Sequence, residues 1–153
     1  MKKRLGRTAF WVLWPLIYIY APTKIRSRVL LVQGNVFLAV KPYFGSGKWQ
    51  LPGGGVKMHE DLAAAAAREL REETGIVLNN TAFTLLSPVC TFIESGLRMR
   101  YQIYVVYLEG PANLHLNHEL CDAQWLPIHT QTKGVTRHIS TALKDFDHLG
   151  LLK

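Results

Sequence analysis

Cysteine is scarce in this chain. Only Cys90 and Cys121 occur in 153 residues, too few for a disulfide framework and without the paired spacing of a zinc site. A reducing cytoplasm is the compartment this suggests, with each thiol a small packing residue. The six histidines show no metal-ligand spacing, and His59 and His118 are read as surface residues. There is no internal repeat and no low-complexity linker beyond a run of five alanines. No apolar stretch reaches the about 20 residues that a helix needs to span a bilayer. The longest, residues 9–21, is interrupted by Pro15, and no small-x-small cleavage site of a secretory signal follows it. Acidic residues are missing from the first 28 positions, which carry seven basic ones. From residue 29 onward 11 basic residues balance 11 acidic ones. The net charge of +7 is therefore an N-terminal property, and it does not argue for stable nucleic-acid binding by the rest.

The length suits one domain with a proper core. The chain is read as a basic and apolar segment, residues 1–26, and a folded domain, residues 27–153. Three readings of the segment stay open. It packs on the domain or on the second copy of a homodimer. It makes a peripheral membrane contact through Trp11, Trp14 and Tyr18 beside the basic cluster. Or it is a signal or anchor.

Within the domain, Arg28–Gln33 and Val36–Lys41 predict a hairpin turning at Gly34-Asn35. A glycine-bearing loop over 42–50 follows. Short strands are expected near Phe83–Leu86 and Val89–Glu94, then a turn at Ser95-Gly96 and a long strand over Leu97–Glu109. Ala123–Leu126 predicts a short strand. Val135–Phe146 predicts an amphipathic helix with Val135, Ile139, Ala142, Leu143 and Phe146 on one face. Helices in mid-chain and at the end, with strands between, indicate an α/β fold: a mixed sheet covered on both faces.

Glycine and carboxylate are concentrated in one stretch. Gly53, Gly54 and Gly55 follow Pro52, and five carboxylates fall within residues 60–73. The spacing predicts a helix from about Asp61 to Thr74, favoured by its alanines and ended by Gly75 in the left-handed conformation. Leu62, Ala66 and Leu70 are expected to form its buried stripe, roughly opposite the carboxylates. Glu69, Glu72 and Glu73 stand at i, i+3 and i+4, so they project together. Adjacent like charges destabilise a bare helix, and hard oxygen ligands suit Mg²⁺, with Mn²⁺ as the alternative.

Gly54, Glu60, Arg68, Glu69, Leu70, Glu72, Glu73, Gly75 and Ile76 together match the signature of the Nudix (MutT-like) hydrolases at every fixed position. The match covers 23 residues, and the order of elements resembles the family more loosely from about 27 to 150. The resemblance implies an α/β/α sandwich. It also implies metal-dependent hydrolysis of a nucleoside diphosphate linked to another moiety. Glu72 and Glu73 would be the main metal ligands and Glu69 a ligand or the general base, with the carbonyl of Gly53 as a further ligand. Arg68 would orient a motif carboxylate by an ion pair. Glu60 would cap or charge the helix start. Glu119, six residues before Trp125, resembles the family's late ligand or base, with Asp122 and then Glu94 as rivals.

Lys41, Lys48, Arg98 and Arg100 are candidates for phosphate contact. Tyr43, Phe44 and Trp49 are candidates for base stacking, and core packing is the equal alternative for Trp49. A small nucleotide is the expected substrate. Members acting on ADP-ribose carry a Pro about fifteen residues past the motif, where this chain has Thr91. That favours a nucleoside triphosphate or an unassigned dinucleotide. ADP-ribose, a dinucleoside polyphosphate and an inactive nucleotide-binding module remain the alternatives, and RNA-end processing has only the basic N-terminus in its favour.

Overall fold

A computed structural model describes residues 25–94, 97–129 and 134–151. The N-terminal apolar run and the Ser95-Gly96 turn expected from the sequence lie outside the described residues.

Apolar residues make up most of the first strand, β1 (Ile25–Gln33), which is buried from Ser27 through Val32. Its side chains alternate between two cores, as the period-2 geometry of a strand requires. Val29 and Leu31 enter one apolar cluster, while Leu30 and Val32 enter the other. Gly34, with φ at +55°, makes the two-residue turn to β2 (Val36–Pro42) as expected. β3 (Thr84–Glu94) and β4 (Leu97–Tyr107) form a second antiparallel pair. β5 (Leu120–Pro127) runs antiparallel to β2. The sheet order is β3-β4-β1-β2-β5, with β1 and β4 parallel. That parallel pairing, Ile25↔Arg100 through Val32↔Tyr107, extends β1 three residues beyond the expected hairpin arm.

The segment expected as two short strands is one strand, β3. Pro88 does not end it because β3 is an edge strand, where a missing N–H costs no ladder bond. The register shifts between Leu85 and Ser87 and between Ser87 and Cys90 absorb the irregularity.

One helix covers each face. α1 (Leu62–Thr74) lies on the face of Val29, Leu31, Leu38 and Val40. α2 (Arg137–His148) lies on the face of Leu30, Phe37 and Ile103 through Ile139, Ala142 and Phe146. Alanine at 66 and 67 lets α1 sit close to the sheet, and Leu70 anchors it. Leu70→Ala would cost about 2–5 kcal/mol of stability by opening a cavity there.

One local feature positions the site. β1 and β2 pair only next to their turn, at Val32↔Phe37 and Gln33↔Val36. Beyond that they diverge, and residues 50–54 fill the gap. Gln50 exchanges both backbone hydrogen bonds with Val40 at 2.9 Å. Pro52 and Gly54 accept through their carbonyls from the amides of Val29 and Ser27, each at 3.0 Å. The glycine loop is thus a wedge held on both sides by backbone bonds.

Candidate active site

Asp61 caps α1. Its side chain accepts from the amides of Ala63 and Ala64, and its extended backbone lies outside the helix. The expectation that Glu60 caps this helix is thereby corrected: Asp61 already holds the free amides. Glu60 turns instead to Arg68, at 2.7 Å from Nε, and accepts from the amide of Lys57. The Arg68 guanidinium holds the Glu60 carboxyl down at about 2, with the Lys57 amide assisting. Gly75 ends the helix with φ at +76°, as expected.

The burial of α1 corrects a second expectation. Glu73 lies seven residues after Ala66, and at about 100° per residue the two sit within about 20° of each other around the helix. Glu73 therefore falls in the buried stripe rather than opposite it, and it is 6% exposed. Glu72 projects outward, with 45% of its side chain exposed, and Glu69 lies between at 16%. The three carboxylates straddle the edge of the buried face.

The wedge meets them there. The Gly53 amide donates to Glu73 Oε2 at 2.8 Å. A side chain at Gly53 is excluded twice over: φ is +128°, and a Cβ would stand 2.2 Å from the Ser27 carbonyl oxygen. At Gly54 a Cβ would stand 2.5 Å from Glu69 Oε2, so the motif glycine makes room for a carboxylate. Burial lifts the Glu73 carboxyl to about 7. The Arg28 charge and the Gly53 amide oppose that rise, while Glu69 and Glu119 add to it.

Arg68 gathers the outer carboxylates. Its Nη1 lies 2.7 Å from Glu69 and 3.1 Å from Glu72, and its Nη2 donates to the Gly55 carbonyl. Arg68 thus makes ion pairs with Glu60, Glu69 and Glu72.

Glu119 reaches the same region from a distant part of the chain. The His115 and Asn117 amides donate to the carbonyls of Thr74 and Glu73 at 2.9 and 3.1 Å, clipping the loop before β5 to the end of α1. The Asn117 side chain then accepts from the Glu119 amide, and the Glu119 carbonyl accepts from Tyr43. Glu119 remains exposed, close enough to act on Glu73. Asp122, by contrast, sits within β5 opposite Lys41.

Lys41 lies over the Trp49 ring at 5.0 Å, and Trp49 packs against the α2-side core. Strand alternation puts Arg98 and Arg100 on the sheet face that α1 covers. Both are exposed, and no ion pair joins them to the carboxylates among the described residues. Tyr43 and Phe44 are exposed beside Glu119. Cys90 and Cys121 are both free thiols, and no described helix is long and apolar enough to cross a membrane.

Arg28 was counted above only among the N-terminal cations. It is buried, and its Nη1 donates to the carbonyls of Leu51 and Gly53. The signal was present: a single arginine leading into the apolar run of a central strand. His138 was set aside with the other histidines. It is fully buried, and its Nε2 accepts from the Leu51 amide at 3.1 Å. No local pattern marks it, because its partner lies 87 positions away.

In kind, these residues fit a divalent ion: hard oxygens, carrying more negative charge than Arg68 and Arg28 offset. In place, no three of them converge on one point among the described residues, since Arg68 draws Glu69 and Glu72 toward itself.

Comparison with known proteins gives this geometry a family. Residues 16–142 match the NUDIX domain. Nudix hydrolase 10 of Arabidopsis thaliana is 31% identical over 140 residues, which is 90% of this chain and 49% of that protein. The oxidized purine nucleoside triphosphate hydrolase of Danio rerio is 44% identical over 59 residues, 37% of this chain and 38% of that one. The chain thus spans about half the length of the plant relative and less of the fish one. A MutT NUDIX hydrolase from Burkholderia pseudomallei shares the fold with a TM-score of 0.69 at 24% identity, covering 80% of this chain and 96% of its own. A domain match over most of the chain makes this chain a member of the Nudix family.

Proposed function

We propose that the chain is a divalent-cation-dependent pyrophosphohydrolase. It cleaves the pyrophosphate bond of a nucleoside diphosphate linked to another moiety, and a nucleoside triphosphate is the substrate we favour. One observation carries this reading. The Gly53 amide holds Glu73, Gly54 lies against Glu69, and Glu119 from a distant loop stands near enough to act on Glu73. Such a concentration of carboxylate has little structural use, and burying one of them is costly.

Glu72 and Glu73 would hold Mg²⁺ (or Mn²⁺), with Glu69 as a ligand or the base and Glu119 as the late ligand or base. The Gly53 carbonyl would contribute its remaining lone pair, the other being taken by Arg28. A bound divalent ion supplies an activated water and offsets charge on the phosphoryl oxygens. The protein's own part is to orient and to exclude. Arg68 pairs with both Glu69 and the more exposed Glu72. Gly54 keeps space beside Glu69, and the Gly53 amide fixes which oxygen of Glu73 faces outward. Lys41, stacked on Trp49, and Arg98 with Arg100 are the basic groups available for substrate phosphates. Exposed Tyr43 and Phe44 stand where a base would stack.

The name of the zebrafish relative supports the triphosphate reading, as does Thr91 at the position of the ADP-ribose proline. The free thiols support a reducing, cytoplasmic setting. The test is a Mg²⁺ assay over deoxynucleoside triphosphates, oxidised dGTP, ADP-ribose, dinucleoside polyphosphates and nucleotide sugars, with Glu73→Gln as control. Preferential hydrolysis of a triphosphate, lost in the control, is the expected result. Turnover of ADP-ribose or a dinucleoside polyphosphate would replace the substrate. Nucleotide binding without any turnover would make the chain an inactive module.

A further inference from the structure

The carboxylates lie on the α1 side of the sheet, yet the wedge that positions them is fastened from the α2 side. Arg28 donates through Nη1 to the Leu51 and Gly53 carbonyls. Its guanidinium lies 5.6 Å from the centre of the Tyr101 ring. Tyr101 stacks in turn on His138, ring centres 5.0 Å apart. His138 completes the circuit by accepting from the Leu51 amide. An amide is only a donor, so Nε2 must carry a lone pair there. The Thr136 hydroxyl, 3.0 Å from the same nitrogen and 3.2 Å from the Trp49 carbonyl, braces the residue before the wedge. Leu51 is thereby held at both its amide and its carbonyl by two buried side chains from different elements.

This arrangement is expensive. Arg28 is 3% exposed, and among the described residues its Nε has no hydrogen-bond partner. A buried cation with an unpaired donor is a poor way to gain stability, and such groups call for a functional account. Two residues beyond Leu51, the Gly53 amide holds Glu73, and Gly54 lies against Glu69. Any slide or rotation of the wedge moves both carboxylates.

We propose that Arg28 and His138 are positioning residues for the proposed hydrolysis: through the backbone of Leu51 and Gly53 they set where Glu73 and Glu69 stand. The inference rests on the functional reading above. It makes the far face of the sheet part of the active site.

The test compares His138→Leu, which removes the acceptor, with His138→Gln, which can restore one. Each is assayed for kcat and KM, and for Mn²⁺ affinity by electron paramagnetic resonance titration without substrate. Outer-shell partners typically contribute 10–100-fold to metal affinity or activity. We expect His138→Leu to lose about tenfold in both kcat and Mn²⁺ affinity with KM little changed, and His138→Gln to recover most of each loss. Wild-type kcat and Mn²⁺ affinity in a folded but less heat-stable His138→Leu would overturn the proposal. Should His138→Leu not fold, Arg28→Lys carries the same test, since it keeps the charge but loses the planar fork. Weaker Mn²⁺ binding is expected there, and unchanged or tighter binding would refute positioning. A wild-type protein that binds Mn²⁺ but hydrolyses no nucleotide would sink the functional reading while leaving the Mn²⁺ comparison decisive here.

Discussion

Replacing Glu73 with glutamine should make the metal-free protein more stable at high pH, although it removes a central residue of the site. The Glu73 carboxyl is lifted from 4.5 to about 7. Between those values the folded state holds a proton that the unfolded state has released. Stability is therefore lost as pH rises through this window, at a rate set by the difference in bound protons. At pH 8 the penalty approaches about 3 kcal/mol, and at pH 5 about 1 kcal/mol, from 1.36 kcal/mol per pKa unit. Glutamine keeps the shape and can still accept from the Gly53 amide, but it carries no charge. The melting temperature of Glu73→Gln minus that of wild type should thus grow by about 5–10 °C between pH 5 and pH 8, at 2–4 °C per kcal/mol for a chain of this size. The assay is thermal unfolding by circular dichroism with EDTA present. Taking the difference between proteins cancels the titrating groups that are not coupled to Glu73, as well as any fixed cost of the amide. Added Mg²⁺ should recover stability in wild type at pH 8 and do little for the variant. A difference that stays flat with pH would mean that Glu73 is not a desolvated acid, and the burial account of this site would fail.

Two further outcomes separate parts of the site. Glu119→Gln should slow turnover without lowering the melting temperature, because the side chain is exposed and only its backbone is used structurally; an unchanged kcat would return Glu119 to an ordinary solvated loop. Gly53→Ala should fail to accumulate as folded protein, since the new Cβ meets the fixed Ser27 carbonyl. Gly54→Ala should fold but lose most activity, since its Cβ meets only the flexible Glu69 side chain; solubility and kcat measured on both would expose the reverse order.

The sequence carried what repeats locally. Alternation gave the hairpin, with its Gly34-Asn35 turn. The alanine run gave α1 and Gly75 its stop, while the resemblance suggested an ion-pair role for Arg68. The α1 stripe was misjudged because helical periodicity was applied to apolar residues alone, and that scheme leaves no place for a glutamate inside a buried face. β3 was split at Pro88 because nothing local distinguishes an edge strand from a central one. Glu119 could be proposed from its distance to Trp125. Its approach to Glu73, however, depends on backbone bonds from His115 and Asn117 that no side-chain pattern encodes.

Arg28 and His138 were missed for a different reason, which bears on how the site is built. A charge in a central strand is normally excluded from the core. Here Glu73 and Arg28 approach Gly53 from opposite faces of the sheet, and each is made less costly by the other: the Arg28 charge opposes the rise of the Glu73 carboxyl. Neither buried group makes sense alone. The wedge between them is backbone with glycine at 53 and 54, so nothing bulkier screens one from the other. A split between β1 and β2, filled by a segment with glycine at 53 and 54, lets the Arg28 charge act on the Glu73 carboxyl through the sheet. The same interactions that keep the wedge seated also set the charge balance of the carboxylates, so stability and site geometry cannot be altered independently at this point.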